Sequence, residues 1–231
     1  MWAKIRHYIN RHKYHKAHNM LSPRGGGYGA CGQDILIAEL LGHKRDGVFF
    51  DIGANDGVTI SNSYYFEKEL GWSGVAVEPL PAIFSSLEHH RNCHLVNGCV
   101  TPVAGTAKFL EMEGQNNMLS TLEQNNRGLT ARRLRNNAKR HKTGVKEIDV
   151  ACFTFSSLVD KFDIKAIDFL SVDTEGGELE ILKSINFNAT PVSIISVENN
   201  YYKADIRTFL EAQGFAYYGT FKIDEIYILK P

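Results

Sequence analysis

Five short apolar runs, at Val48–Ile52, 75–77, 94–100, Ile167–Val172 and 192–197, are separated by segments whose apolar residues recur at helical spacing. A run that is apolar throughout reads as a strand buried on both faces. Such strands joined by helices point to a mostly parallel sheet with helices on both sides, an α/β fold. Helix candidates fall at 33–41, 60–70, Pro81–His90, Phe155–Lys161 and 178–185. The C-terminal end breaks the alternation. There Phe215–Phe221 and 225–229 are strand-like and joined by Lys222-Ile223-Asp224, which predicts an antiparallel hairpin.

The most informative of these runs ends in a motif. Val48-Phe49-Phe50-Asp51-Ile52-Gly53-Ala54-Asn55-Asp56-Gly57 reads as a buried strand, an acid, a glycine turn and an entry into a helix. Gly53 would let a ligand approach the backbone at the carboxyl end of the strand, and Gly57 would allow the sharp entry into the helix. Open α/β sheets bind ligands in the crevice beyond those ends. The spacing matches neither GxGxxG nor GxxxxGK[ST], which weakens dinucleotide and nucleoside-triphosphate readings. Asp51 suits a cation or an amine better than a pyrophosphate. The next strand ends in Glu78, an acid able to accept bonds from both ribose hydroxyls of a nucleoside. Together these acids fit adenosine with a cationic tail, of which S-adenosyl-L-methionine is an example.

Three stretches carry a resemblance. Phe50 to Gly57, then Val77-Glu78-Pro79, then Ile167 to Glu178 with its Asp173-Thr174-Glu175-Gly176-Gly177-Glu178 block resemble the FkbM family of methyltransferases. Gly32-Gln33-Asp34 is similar to the short polar motif ahead of the first strand in that family. Met118-Leu119-Ser120-Thr121-Leu122 is similar to its serine-containing segment after the third strand. The resemblance runs from about Gly32 to Leu229. It implies a Rossmann-like class I methyltransferase fold with a seven-stranded mixed sheet. It also implies S-adenosyl-L-methionine as cofactor and O-methylation, often of sugars in glycans, lipids or natural products. The expected cofactor-binding residues are Gln33, Asp51, Gly53, Asn55, Gly57 and Glu78.

The acceptor side rests on three more acids. Asp173 and Glu175 leave one strand at its carboxyl end and Glu198 leaves the next, so all three point into the crevice. A sugar hydroxyl must lose its proton as the new bond forms, and a nearby carboxylate can take it. Asp173 or Glu198 is the candidate base, and Glu175 would orient the substrate. Glu175 could instead cap the following helix. Clustered carboxylates also suit a hard cation, but no further ligand set is evident from spacing and no metal is expected. Asn116, Asn117, Met118 and Ser120 could contact cofactor or substrate, and Tyr201 and Tyr202 could stack on a sugar face or pack in the core.

The 231 residues suit one domain at 32–231, preceded by a basic arm and glycine-rich linker at 1–31. A composition of 43% hydrophobic and 23% charged residues requires neither global disorder nor a disulfide scaffold. Cys31, Cys93, Cys99 and Cys152 form no CxxC pair and read as reduced thiols. No apolar run reaches the roughly 20 residues that span a bilayer. The N-terminus lacks the apolar stretch of a secretory signal, so the expected compartment is the cytoplasm. In the arm, Trp2, Ile5, Tyr8, Ile9 and His12 fall at helical spacing among basic residues. It would pack on the domain or touch a membrane surface.

Zero net charge hides an asymmetry. Residues 1–33 hold six Lys or Arg and 124–146 hold eight, neither segment containing an acid, which leaves 12 basic against 26 acidic residues elsewhere. The second segment lies in a polar stretch, 112–148, long for a loop and expected to be a basic insertion or lid, or else a disordered surface excursion. Leu129, Arg132, Arg133 and Asn136 suit a helix within it. As a lid it would draw an anionic saccharide acceptor to the crevice. A nucleic-acid methyltransferase is the alternative. Against it, 124–146 lacks the aromatic residues of a single-strand platform, and the block after Asp173 lacks the Pro-Pro-Tyr type motif of base methylases. A non-catalytic binding module is the third reading, and the acids at every expected strand end count against it. Nothing in the sequence decides the oligomeric state.

Overall fold

The fold turns on β1 (Val48–Ile52), a strand whose side chains feed two cores. Phe50 joins one apolar cluster and Phe49 another, and neither is exposed to solvent. That is what a period of two requires of a strand covered on both faces. The same split recurs in β8 (Ile167–Val172), where Leu170 and Phe169 part to the two clusters, and in β9 (Val192–Glu198), where Ile195 and Ile194 do so. Each buried side chain of this size contributes about 1.5–3 kcal/mol relative to exposure. The structure, a computed structural model, describes residues 25–113, 119–201 and 203–231. The basic arm up to residue 24, and Asn116, Asn117, Met118 and Tyr202, lie outside the described residues.

β1 is flanked by β2 (Ser73–Glu78) and β8. Beyond them lie β3 (His94–Asn97) on one side, and β9, β11 (Asp224–Leu229) and β10 (Phe215–Phe221) on the other. All pair in parallel except β11, which is antiparallel to both of its neighbours. This is the expected seven-stranded mixed sheet. Chain order reverses at β1, so the switch point opens between the carboxyl ends of β1 and β8. α1 (Gln33–Leu40) and α2 (Tyr64–Leu70) cover one face through Ile37 and Phe66. The other face takes α5 (Phe155–Lys161), α6 (Glu178–Ser184) and α7 (Ala204–Ala212) through Leu158, Leu182 and Leu210. α3 (Pro81–His90) packs by Leu87 against Ala76.

A second sheet sits beside the first. Its order is β4 (Cys99–Val100), β7 (Val145–Phe153), β5 (Gly105–Met112) and β6 (Thr121–Leu122). β5 and β7 pair antiparallel from Gly105 opposite Cys152 to Met112 opposite Val145. Between β6 and β7 lies α4 (Gly128–His141). The helix expected around Leu129–Asn136 is therefore present, and so are two long strands that the sequence reading did not contain. Each buries only two residues, and Lys108 bridges to Glu147 and Asp149 across the ladder, so they lack the apolar signature of the central strands.

Several expectations need correction. The 94–100 run is two strands in two sheets. The chain breaks at Gly98, where a Cβ would lie 2.6 Å from the Ala151 carbonyl oxygen. α2 begins at Tyr64 rather than near 60, because Asp56 and Ser61 tie the preceding backbone into turns. The hairpin turn is Lys222-Ile223 alone, and Asp224 belongs to β11, opposite Glu198 of β9. α7 was not expected. All four cysteines are free, and three are buried. Among the described residues no helix is long and apolar enough to cross a membrane.

Candidate functional site

Two strand ends meet closely at the switch point. The Asp173 amide donates to the Ile52 carbonyl at 2.9 Å, and the Gly53 and Ala54 amides both donate to the Val77 carbonyl at 3.0 Å. Gly53 has φ +91°, and a Cβ there would lie 1.7 Å from the Asp173 carbonyl oxygen. The sequence reading reserved that space for a ligand; the neighbouring strand's own backbone fills it. Gly57, at φ +81°, does not enter a helix. Its missing Cβ leaves room for Leu87 and Arg91, 2.5 and 2.7 Å from where it would stand.

A cavity of about 110 Å³ opens at this point. Gly53, Asn55 and Glu78 line one side, Asp173 and Glu175 another, and Leu80, Val100, Phe109 and Leu122 give it an apolar wall. Glu78 is held at its rim. Its two carboxylate oxygens accept the Asn55 amide at 3.1 Å and the Leu80 amide at 2.9 Å. Burial pushes its carboxyl up to about 7, the backbone donors opposing the rise.

Three of the six expected cofactor residues do not line this cavity. Asp51 is buried beneath it, accepting a 2.5 Å bond from the Ser63 hydroxyl. Burial raises its carboxyl, opposed by Ser63 and by the nearby Arg91 charge. Arg91, itself 4% exposed, reaches Glu67, the Gly57 carbonyl and Ser63. Asp51 thus belongs to a buried network that fixes the loop after β1, and Gly57 is part of the same support. Gln33 accepts the Cys31 amide at 2.8 Å and donates to Asp224 at 3.0 Å, pinning the start of α1 to β11.

The three expected catalytic acids do come together. Carboxylate oxygens of Asp173, Glu175 and Glu198 all lie within 4.8 Å of one another. No third metal ligand was evident from spacing; the fold brings Glu175 beside the other two, and clustered oxygens of this kind can hold a hard cation. Asp173 lines the first cavity, Glu198 a second of about 80 Å³, and Glu175 lines both. Burial pushes Glu198 up to about 12, reinforced by the Asp173 and Glu175 charges. Asp173 is raised well above the usual carboxylate range, first by burial and then by Glu175, Asp224 and Glu178. The two carboxyls lie close enough that a hydrogen bond between them would require a proton on one of them. Burial raises Glu175 to about 7, against the opposing Arg133 charge.

Glu175 does not cap α6. Its φ is +56° and its side chain turns away to accept bonds from Arg133 of α4 and, at 3.2 Å, from Asn200. Glu178 shapes the loop instead, one oxygen accepting the Thr174 amide, the Thr174 hydroxyl and the Gly176 amide at 2.8–3.1 Å. Arg133 and Asn200 were not singled out as site residues. Asn200 also donates to Glu198 at 2.5 Å. No local pattern marks either one, since each reaches the acids only through tertiary folding. Ser120 lines the first cavity and donates no bond into it; its hydroxyl accepts the Met112 amide at 2.9 Å.

A switch-point cavity with an acid at the end of the second strand and carboxylates at the end of β8 defines a nucleoside-binding α/β enzyme. Its acid-lined, partly apolar cavity suits a ligand with ribose hydroxyls and a positive charge, as S-adenosyl-L-methionine has. Comparison with known families assigns the chain more narrowly. Residues 51–217 match the family described as "Methyltransferase FkbM domain". The chain belongs to this methyltransferase family. No curated protein matches it. Among solved structures it is similar to the METTL16 methyltransferase domain, at 13% identity and a TM-score of 0.44, covering 85% of this chain and 65% of that one. The N-terminal domain of human METTL16 gives 14% and 0.42, with 84% and 66% covered. A human methyltransferase 10 domain containing protein gives 14% and 0.39, with 85% and 79% covered. The chain thus spans just under two thirds of the first two.

Proposed function

We propose that the protein methylates a hydroxyl group of a saccharide, taking S-adenosyl-L-methionine into the first cavity and the acceptor against the acid cluster. The observation that carries this reading is the meeting of Asp173, Glu175 and Glu198 at the junction of the two cavities. A polyhydroxylated neutral ligand suits buried carboxyls, each of which can accept or donate a hydrogen bond.

On this reading Glu78 accepts bonds from the ribose hydroxyls, and Gly53 and Asn55 form the rest of that wall. The cofactor supplies an electrophilic methyl group. Asp173 takes the proton from the acceptor hydroxyl as the new bond forms, a role for a positioned base with a raised pKa. Glu198, holding its own proton, donates to Asp173 and keeps its carboxyl oriented. Glu175, fixed by Arg133 and Asn200, positions the acceptor. The apolar wall of the first cavity, and α4 beside the second through Thr130, exclude water.

The cationic α4 favours a second reading, transfer to nucleic acid. Incubation with tritiated cofactor and either mixed bacterial and plant polysaccharides or total RNA separates the two. Label in saccharide, lost in Asp173→Asn, supports the proposal. Label in RNA alone replaces it with the second reading.

A further inference from the structure

The outer face of α4 carries charge that nothing in the protein neutralises. Arg127, Arg132, Arg135, Lys139, Arg140 and Lys142 are all exposed, and none is within ion-pair distance of an acid. Residues 1–24, 114–118 and 202 contain no Asp or Glu, so every acid of the chain is among the described residues. Arg132, Arg135 and Lys139 stand at i, i+3 and i+7, on one stripe of the helix. Like charges at such spacing oppose helix formation by a few tenths of a kcal/mol per pair, an expense an anionic ligand would offset.

The inner face of the same helix belongs to the site. Leu134 is buried, Arg133 bonds to Glu175, and Thr130 lines the second cavity. A ligand whose reacting unit sits among the acids and fills the second cavity lies beside Thr130 of α4. The acids repel anions, and the outer stripe attracts them. We infer that the acceptor is a polyanionic glycan, with a neutral sugar unit at Asp173, Glu175 and Glu198 and flanking phosphate- or sulfate-bearing units on Arg132, Arg135 and Lys139. This rests on the saccharide reading above and specifies its substrate.

Other polyanions fit less well. No Phe, Tyr or Trp occurs between residues 119 and 152, so the stripe has no base-stacking platform for single-stranded nucleic acid. A helix lying in a membrane surface would turn an apolar face outward, whereas Leu134 of α4 faces the protein and Leu129, 53% exposed, is the helix's single exposed large apolar residue.

The test is fluorescence anisotropy of the full chain with short labelled dextran sulfate, unsulfated dextran, oligouridylate and phosphatidylglycerol vesicles. Arg132→Gln/Arg135→Gln/Lys139→Gln is compared with wild type. The expected result is preference for dextran sulfate, weakening steeply with salt and by about tenfold in the triple variant, as loss of three surface charges implies. No binding of dextran sulfate, equal binding by the variant, or tighter binding of oligouridylate or vesicles overturns the inference. S-adenosylhomocysteine titration of both proteins is run alongside. Retained titration with failed glycan binding sinks this inference alone, and failed wild-type titration sinks the methyltransferase account beneath it.

Discussion

Glu78, buried, and Asp173, half-buried, are acids with no cation partner among the described residues, and each carries a prediction. Glu78 is shifted from 4.5 up to about 7, with burial the main cause. An ionised Glu78 accepts ribose hydroxyls better than a protonated one, so affinity for S-adenosylhomocysteine should rise with pH through about 7. Calorimetry between mildly acidic and mildly alkaline pH checks this, and Glu78→Gln should flatten the profile. For Asp173, replacement by Asn should lower turnover about 10²–10⁴-fold, the usual range for a general base, with cofactor affinity nearly unchanged. Glu198→Gln, which keeps a donor toward Asp173, should lose less. Equal losses in the two variants would contradict the roles assigned to them. These acids were legible in the sequence because each ends an apolar run. Their partners were not: Arg133 lies 42 residues from Glu175 in the chain, and Asn200 gains its role only when β9 stands beside β8.

At the level of elements, the close approach of the carboxyl ends of the parallel neighbours β1 and β8 constrains the site. Gly53 has φ +91° and no room for a Cβ beside the Asp173 carbonyl. Gly53→Ala therefore combines backbone strain of about 1–3 kcal/mol with displacement of the loop that carries Asp173. We expect a clear loss of stability in urea unfolding together with loss of cofactor binding; a variant as stable as wild type would show that the strands do not approach so closely. The central strands β1, β8 and β9 were readable because nearly every residue is buried, and α5 because its buried Phe155, Leu158 and Val159 recur at helical spacing, whereas α3 buries Leu87 alone. β5 and β7 were hidden because each buries only part of one face and is rich in charge. α4 was readable as a helix, but its bond to Glu175 was not. Asp51 and Gln33 were expected at the cofactor and in the structure brace loops outside the first cavity: spacing placed Asp51 on a strand without fixing the face it takes, and gave no sign that Gln33, at the start of α1, would reach Asp224.

For the whole molecule, the acids impose a pH dependence whose sign follows from linkage. Glu78 and Glu175 are each raised from 4.5 to about 7, and Asp224 from 3.8 to about 6. A raised carboxyl holds its proton more tightly in the folded than in the unfolded chain, so folding is favoured below the unfolded values and that advantage is lost as pH rises through the folded ones. The free protein should melt at its highest temperature in mild acid and at progressively lower temperature toward pH 7, and differential scanning calorimetry would show it. A melting temperature that climbs over that range would mean the acids are compensated in solution. The central claim is that the cavity between β1, β2 and β8 holds the cofactor through Glu78. Calorimetric titration of the full chain with S-adenosylhomocysteine, beside Glu78→Ala, tests it most directly. Saturable one-to-one binding that weakens by about tenfold or more in the variant, as loss of hydrogen bonds to a charged acceptor implies, is the predicted result. Absence of wild-type binding, or equal binding by the variant, would contradict it.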